Sequence, residues 1–135
     1  MKLKLWSIIL LPAILAAGCV KTVNDESTAG VPFVKDKIEG RYERTVQDVF
    51  DASVKVLKFN GTVERESTLF ENNITARTVE GRVNQRRIWI RVEPVDAKVT
   101  SVVVQARTSG GGTDMNLAYD LEKQIALQLV NNFNK

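Results

Sequence analysis

The sequence predicts an α+β fold: a two-layer sandwich in which an antiparallel sheet of 4–5 strands carries two helices on one face. Three observations predict it. Apolar residues recur at helical spacing in two stretches, one around Val49 and one around Leu121. Between these stretches lie segments of strand-like alternation joined by short polar turns, the pattern of an antiparallel meander. Such a sheet can leave one face wet, and two amphipathic helices are about enough to cover the other.

The folded domain is expected over residues 38–135. Ile38 to Arg44 alternates as a short first strand with Tyr42 to one side, and its place, at the edge or in the middle of the sheet, stays open. Thr45 follows as a helix N-cap whose hydroxyl accepts an orphan backbone N–H, with Asp48 as a weak partner in a capping box. Val46, Val49, Phe50, Val54 and Leu57 then share one helical face, opposite Asp48, Asp51, Lys55 and Lys58, with Asp51 and Lys55 spaced for an ion pair. Asn60-Gly61 stops the helix, since both residues tolerate the left-handed conformation that closes a helix end.

Four strands come next. Thr62–Ser67 and Ile74–Val79 alternate on either side of the turn Glu71-Asn72-Asn73, and Glu80-Gly81 reads as a second turn. Arg86–Val92 is the clearest strand: Ile88, Ile90 and Val92 face one way, and Arg87, Trp89 and Arg91 the other. Pro94 ends it. In the last strand, Val99–Arg107, Val102, Val104 and Ala106 belong to the core face. A glycine run, Gly110 to Gly112, breaks the pattern, and Thr113 or Asp114 caps a final helix with the apolar stripe Ala118, Leu121, Ile125, Leu129 and Phe133.

The opening residues do not belong to this domain. Lys2 and Lys4 form a charged start, Leu5 to Leu15 an apolar run, and Ala16-Ala17-Gly18 a small-residue cleavage zone. The run is too short for a membrane span of about 20 apolar residues, and Pro12 interrupts it. Together with Cys19 this segment resembles the lipobox of bacterial lipoproteins, although the usual leucine three places before the cysteine is Ala16 here and Leu15 stands one place earlier. The resemblance implies a signal peptide over residues 1–18 and acyl chains on Cys19, the first mature residue. Several chains on one residue anchor a protein far more firmly than one chain does. Val20, in place of the aspartate that retains lipoproteins in the inner membrane, implies the outer membrane with the domain facing the periplasm. Residues 19–37 read as the lipidated cysteine and a flexible tether, with a reach of roughly 20 to 25 Å.

Composition narrows the function. Removing Lys2 and Lys4 with the signal leaves 17 basic against 16 acidic side chains, so the mature chain is nearly neutral and carries no argument for nucleic acid. Cys19 is the only cysteine, so no intramolecular disulfide can form, and lipidation leaves no thiol for catalysis. There is no histidine, the commonest acid–base residue and metal ligand. No nucleophile–base pair or metal-ligand spacing stands out, so the expectation is a non-enzyme without cofactor or metal. The glycine run lacks the Lys-Ser/Thr of a P-loop and reads as a strand-to-helix connection.

Across the domain, Ala52 and Leu57, Gly61, Ile74-x-Ala76 before Gly81, Ile90-x-Val92, Val99-Thr100-x-Val102-x-Val104 and the glycine turn with Asp114 form a distributed pattern. In this pattern the chain resembles small proteobacterial lipoproteins grouped as a domain of unknown function. The resemblance implies fold and location and brings no catalytic residues. The alternation itself offers one candidate contact face, the open side of the sheet, where Arg77, Arg87, Trp89, Arg91 and Arg107 are expected together. Arginine and tryptophan favour binding hot spots, and arginine grips carboxylates and phosphates bidentately. The competing reading is a solvated face on which Glu64, Glu66 and Glu93 pair with the arginines across strands. The expected function is a lipid-anchored structural or interaction module of the cell envelope, whose partner is an envelope protein or anionic polymer. The alternative is a lipoprotein that binds a small ligand or an anionic polymer on the open face.

Overall fold

The computed structural model describes residues 20–21, 27–28 and 36–132. The signal segment, Cys19, most of the expected tether and Phe133 lie outside the described residues. The chain divides into two units, Met1–Val31 and Pro32–Lys135. In the first, β1 (Val20–Lys21) pairs antiparallel with β2 (Ser27–Thr28).

The second unit runs β3 (Ile38–Tyr42), α1 (Val46–Asn60), β4 (Thr62–Glu71), β5 (Ile74–Val83), β6 (Arg86–Pro94), β7 (Thr100–Arg107) and α2 (Met115–Asn131). Its five strands form one antiparallel sheet in the order β3-β7-β6-β5-β4. The first strand therefore takes an edge, beside β7, with Ile38 opposite Val104 and Tyr42 opposite Thr100. Helix α1 carries the chain from that edge to the other, where β4 begins. Both helices cover one face, α1 over β4 to β6 and α2 over β7 and β3. The result is the expected two-layer α+β sandwich.

One apolar cluster joins the layers. Val49, Phe50, Ala52, Val56 and Leu57 of α1 and Ala118, Leu121, Ile125 and Leu129 of α2 bury against Val79, Val83, Ile88, Ile90, Val92, Val102, Val104 and Ala106. The strand residues alternate because successive side chains leave a strand on opposite faces. Ser53 sits fully inside this layer and donates its hydroxyl to the Val49 carbonyl one turn back, which satisfies it without a tertiary partner.

The caps follow the sequence. The Thr45 hydroxyl accepts from the Asp48 N–H at 3.1 Å, and the Asp114 carboxylate accepts from the Leu117 N–H at 3.0 Å. That backbone hydrogen bond, and then the Arg86 guanidinium, hold the Asp114 carboxyl below its ordinary pKa. Asp51 accepts from Gln47 at 2.7 Å rather than pairing with Lys55.

α1 ends at Asn60 with Gly61 as its C-cap, as expected, but two glycine readings need correction. Gly61 is not left-handed: its φ of −172° is extended backbone, and its N–H bonds to the Leu57 carbonyl. Glycine is needed there for space, since a Cβ at residue 61 meets the Arg82 carbonyl oxygen at 1.9 Å. Glu80-Gly81 is not a turn either. β5 continues through it to Val83, and a Cβ on Gly81 meets the Thr62 carbonyl oxygen at 2.0 Å. The hairpin turns are Asn72-Asn73, with φ of 50° and 62°, and Asn84-Gln85, with φ of 46° and 65°. Both are two-residue loops with paired positive φ, the geometry that matches strand twist.

Between β3 and α2, the Tyr42 hydroxyl donates to the Glu122 carboxylate. Burial and the neighbouring carboxylate push the phenol well above its ordinary pKa. Gly40 makes room for the pair, because a Cβ there lands against both side chains.

Candidate functional site

The face of the sheet away from the helices presents charged rows across neighbouring strands. Register builds one of them directly. Arg82 of β5 lies opposite Arg87 of β6, and Arg87 lies opposite Arg107 of β7. Residues paired in this way have Cα atoms roughly 4.5 to 5.5 Å apart, so three guanidinium-bearing side chains stand abreast. Like charges directly opposite each other destabilise a sheet unless they are compensated.

Two of the three are compensated. Arg82 Nε donates to Glu64 Oε1 at 2.8 Å, and Arg107 Nη2 donates to Asp36 Oδ2 at 2.7 Å. Arg87 stands between them, exposed, and among the described residues it forms no ion pair. Its guanidinium lies over the Trp89 ring, 4.9 Å from the centroid, a cation–π contact that leaves its N–H donors available.

The neighbouring rows are neutralised. Trp89 lies between Glu80 and Gln105, and Glu80 pairs with Arg65 of β4 at 3.2 Å. Arg91, between Thr78 and Val103, reaches Glu93 at 3.0 Å and Glu71 at 3.8 Å. On β3, Glu39 accepts from Arg41 at 3.0 Å and from Ser101 at 3.1 Å, and the Arg41 hydrogen bond holds its carboxyl below the ordinary range. Thr78, Ser101 and Gln105 are buried among these longer side chains although no helix covers them.

The structure thus places Arg87, Trp89, Arg91 and Arg107 on the open face and corrects Arg77. In β5 it is opposite Val92, which belongs to the core. Arg77 therefore lies on the helix side, 3.6 Å from the Phe50 ring centroid, and donates to Gln47 Oε1 at 2.6 Å. Val79, two residues along and fully buried, sets that parity. Glu66 is also on the helix side. With Phe50, Val54, Lys55, Lys58 and Arg77 it lines an open groove of about 360 Å³ beside β4. Sequence reasoning missed Arg82 and Asp36, and left Gln105, which strand alternation puts on the open face, out of the contact set. Arg82 was legible in principle: once Asn84-Gln85 is the two-residue turn, Val83 meets Arg86 and Arg82 must meet Arg87.

A family described as Protein of unknown function (DUF3568) matches residues 2–128. The chain belongs to this family. The match includes the first residues as well as the sheet, α1 and most of α2, so the N-terminal segment and the folded unit fall within one family pattern. No curated protein matches this DUF3568 chain. Among the described residues no helix is long and apolar enough to cross a membrane, and no three His, Cys, Asp or Glu side chains gather in a group that could hold a metal ion.

Proposed function

We propose that this DUF3568 protein is a proteobacterial lipoprotein of the cell envelope. Its signal exports it, and acyl chains on Cys19 hold it at the periplasmic side of the outer membrane. The folded unit acts there as a non-enzymatic interaction module that binds an anionic envelope polymer through its open sheet face. The observation that carries the binding reading is Arg87. It is a stacked, exposed guanidinium without a carboxylate partner, flanked in register by two more arginines. Arginines pre-positioned on a rigid sheet offer bidentate donors at strand spacing, which suits a partner carrying repeated negative groups.

Binding of the purified full-length chain to immobilised polygalacturonate, compared with Arg87→Gln, tests the reading. The variant is expected to bind about tenfold more weakly, the loss of one charge-assisted bidentate contact. Equal retention of the two proteins overturns it. Metabolic labelling with an alkyne fatty acid tests the anchor: wild type should label and Cys19→Ala should not.

A further inference from the structure

Asp36 is a carboxylate that the chain itself lays on the arginine row. It precedes β3, and its Oδ2 accepts from both Arg107 Nη2 at 2.7 Å and Gln105 Nε2 at 3.0 Å. Gln105 is only 6% exposed, and its amide is aimed at this carboxylate from the middle of β7. Arg107 is further steadied by the Gly111 carbonyl at 3.4 Å. A buried amide and a held guanidinium converge on one carboxylate oxygen, and the unpaired Arg87 is the next residue across the sheet.

We infer that Gln105 and Arg107 form a carboxylate cradle, that Asp36 is its resident occupant, and that a carboxylate of the bound polymer displaces Asp36. Binding on the row then frees Asp36 and Lys37, the two residues that lead into β3. The inference rests on the proposed anionic-polymer reading and specifies its ligand as a carboxylated polymer rather than a phosphate one. Three features support it. The cradle already holds a carboxylate in good geometry. The occupant lies before β3, not within a strand, so its release breaks no sheet ladder. The adjacent Arg87 has donors for a second carboxylate of the same chain.

Competition predicts that removing the resident charge improves binding. The full-length protein, its Asp36→Asn variant and its Arg87→Gln variant are titrated with polygalacturonate and, separately, with linear polyphosphate. Asp36→Asn is expected to bind polygalacturonate about fivefold more tightly than wild type, because the cradle is no longer self-occupied. Hydrogen exchange on the wild type should show faster exchange around Lys37 when polygalacturonate is added, a readout that needs no variant. Unchanged affinity in Asp36→Asn together with unchanged exchange overturns the displacement, while weaker binding by Arg87→Gln would leave the polymer reading standing. An equal gain for polyphosphate overturns the carboxylate assignment. Absence of polygalacturonate binding in all three proteins overturns both readings.

Discussion

On β6, Ile88, Ile90 and Val92 vanish beneath the helices, while Arg87, Trp89 and Arg91, interleaved with them, line the other side. The same nine residues thus serve two environments. On the helix side the constraint is volume: fully buried side chains fill the space between layers, and glycines stand where a Cβ meets a carbonyl oxygen. On the open side it is charge. Arg65, Arg82, Arg91 and Arg107 each have a carboxylate, and Arg87 has an aromatic ring instead. The contrast singles out the member of a charged row that its neighbours leave uncompensated.

If volume governs one face and charge the other, substitutions should separate stability from binding. The largest loss is expected for Ile90→Ala, which empties a fully buried site in the central strand and should cost about 3 kcal/mol in urea unfolding. Gly81→Ala comes next, at about 2 kcal/mol by the same measurement, because the added methyl meets the Thr62 carbonyl and β4 must shift. A neutral result there would break the volume account of the helix face.

Asp114→Ala should cost about 1 kcal/mol through loss of the α2 cap. Its pH dependence sharpens the point. The Asp114 pKa is lowered by folding, so its contribution is complete above the unfolded carboxylate range and disappears as pH falls through the folded value. The gap between wild type and variant should therefore close in acid. The smallest stability effect is expected for Arg87→Gln, within about 0.5 kcal/mol of wild type, because the side chain is exposed and lacks an ion pair. Stability lost there without loss of polymer binding would reverse the roles assigned to the two faces.

Much of the fold was legible in local pattern. The caps Thr45 and Asp114, the helical stripes and the alternation of β6 and β7 all depend on residues close in sequence. The errors share a kind of cause, contacts with residues distant in sequence. Gly81 has the look of a turn signal and Gly61 that of a left-handed helix stop, whereas both are close-approach positions set by a carbonyl distant in sequence, and of the two readings only the helix end at Asn60 stands. Misplacing the second turn shortened β5, which concealed Arg82, and reading the parity of β5 without its partner strand put Arg77 on the wrong face. Asp36 could not be assigned to a site at all, because its partners Gln105 and Arg107 lie about 70 residues away and meet it only through the edge pairing of β3 with β7.

By itself the sequence determined the element types, the two-layer α+β architecture and the absence of histidine and of any cysteine beyond Cys19, since periodicity, capping and composition are local or global sums that need no coordinates. Only the tertiary structure decided that β3 takes the edge, that three arginines stand abreast, and that two of them are neutralised while Arg87 is not. The physical reason is register. Side-chain period along a strand assigns a face, but which charges become neighbours depends on how separate strands align, and that alignment is fixed by two-residue turns and by packing beneath the helices.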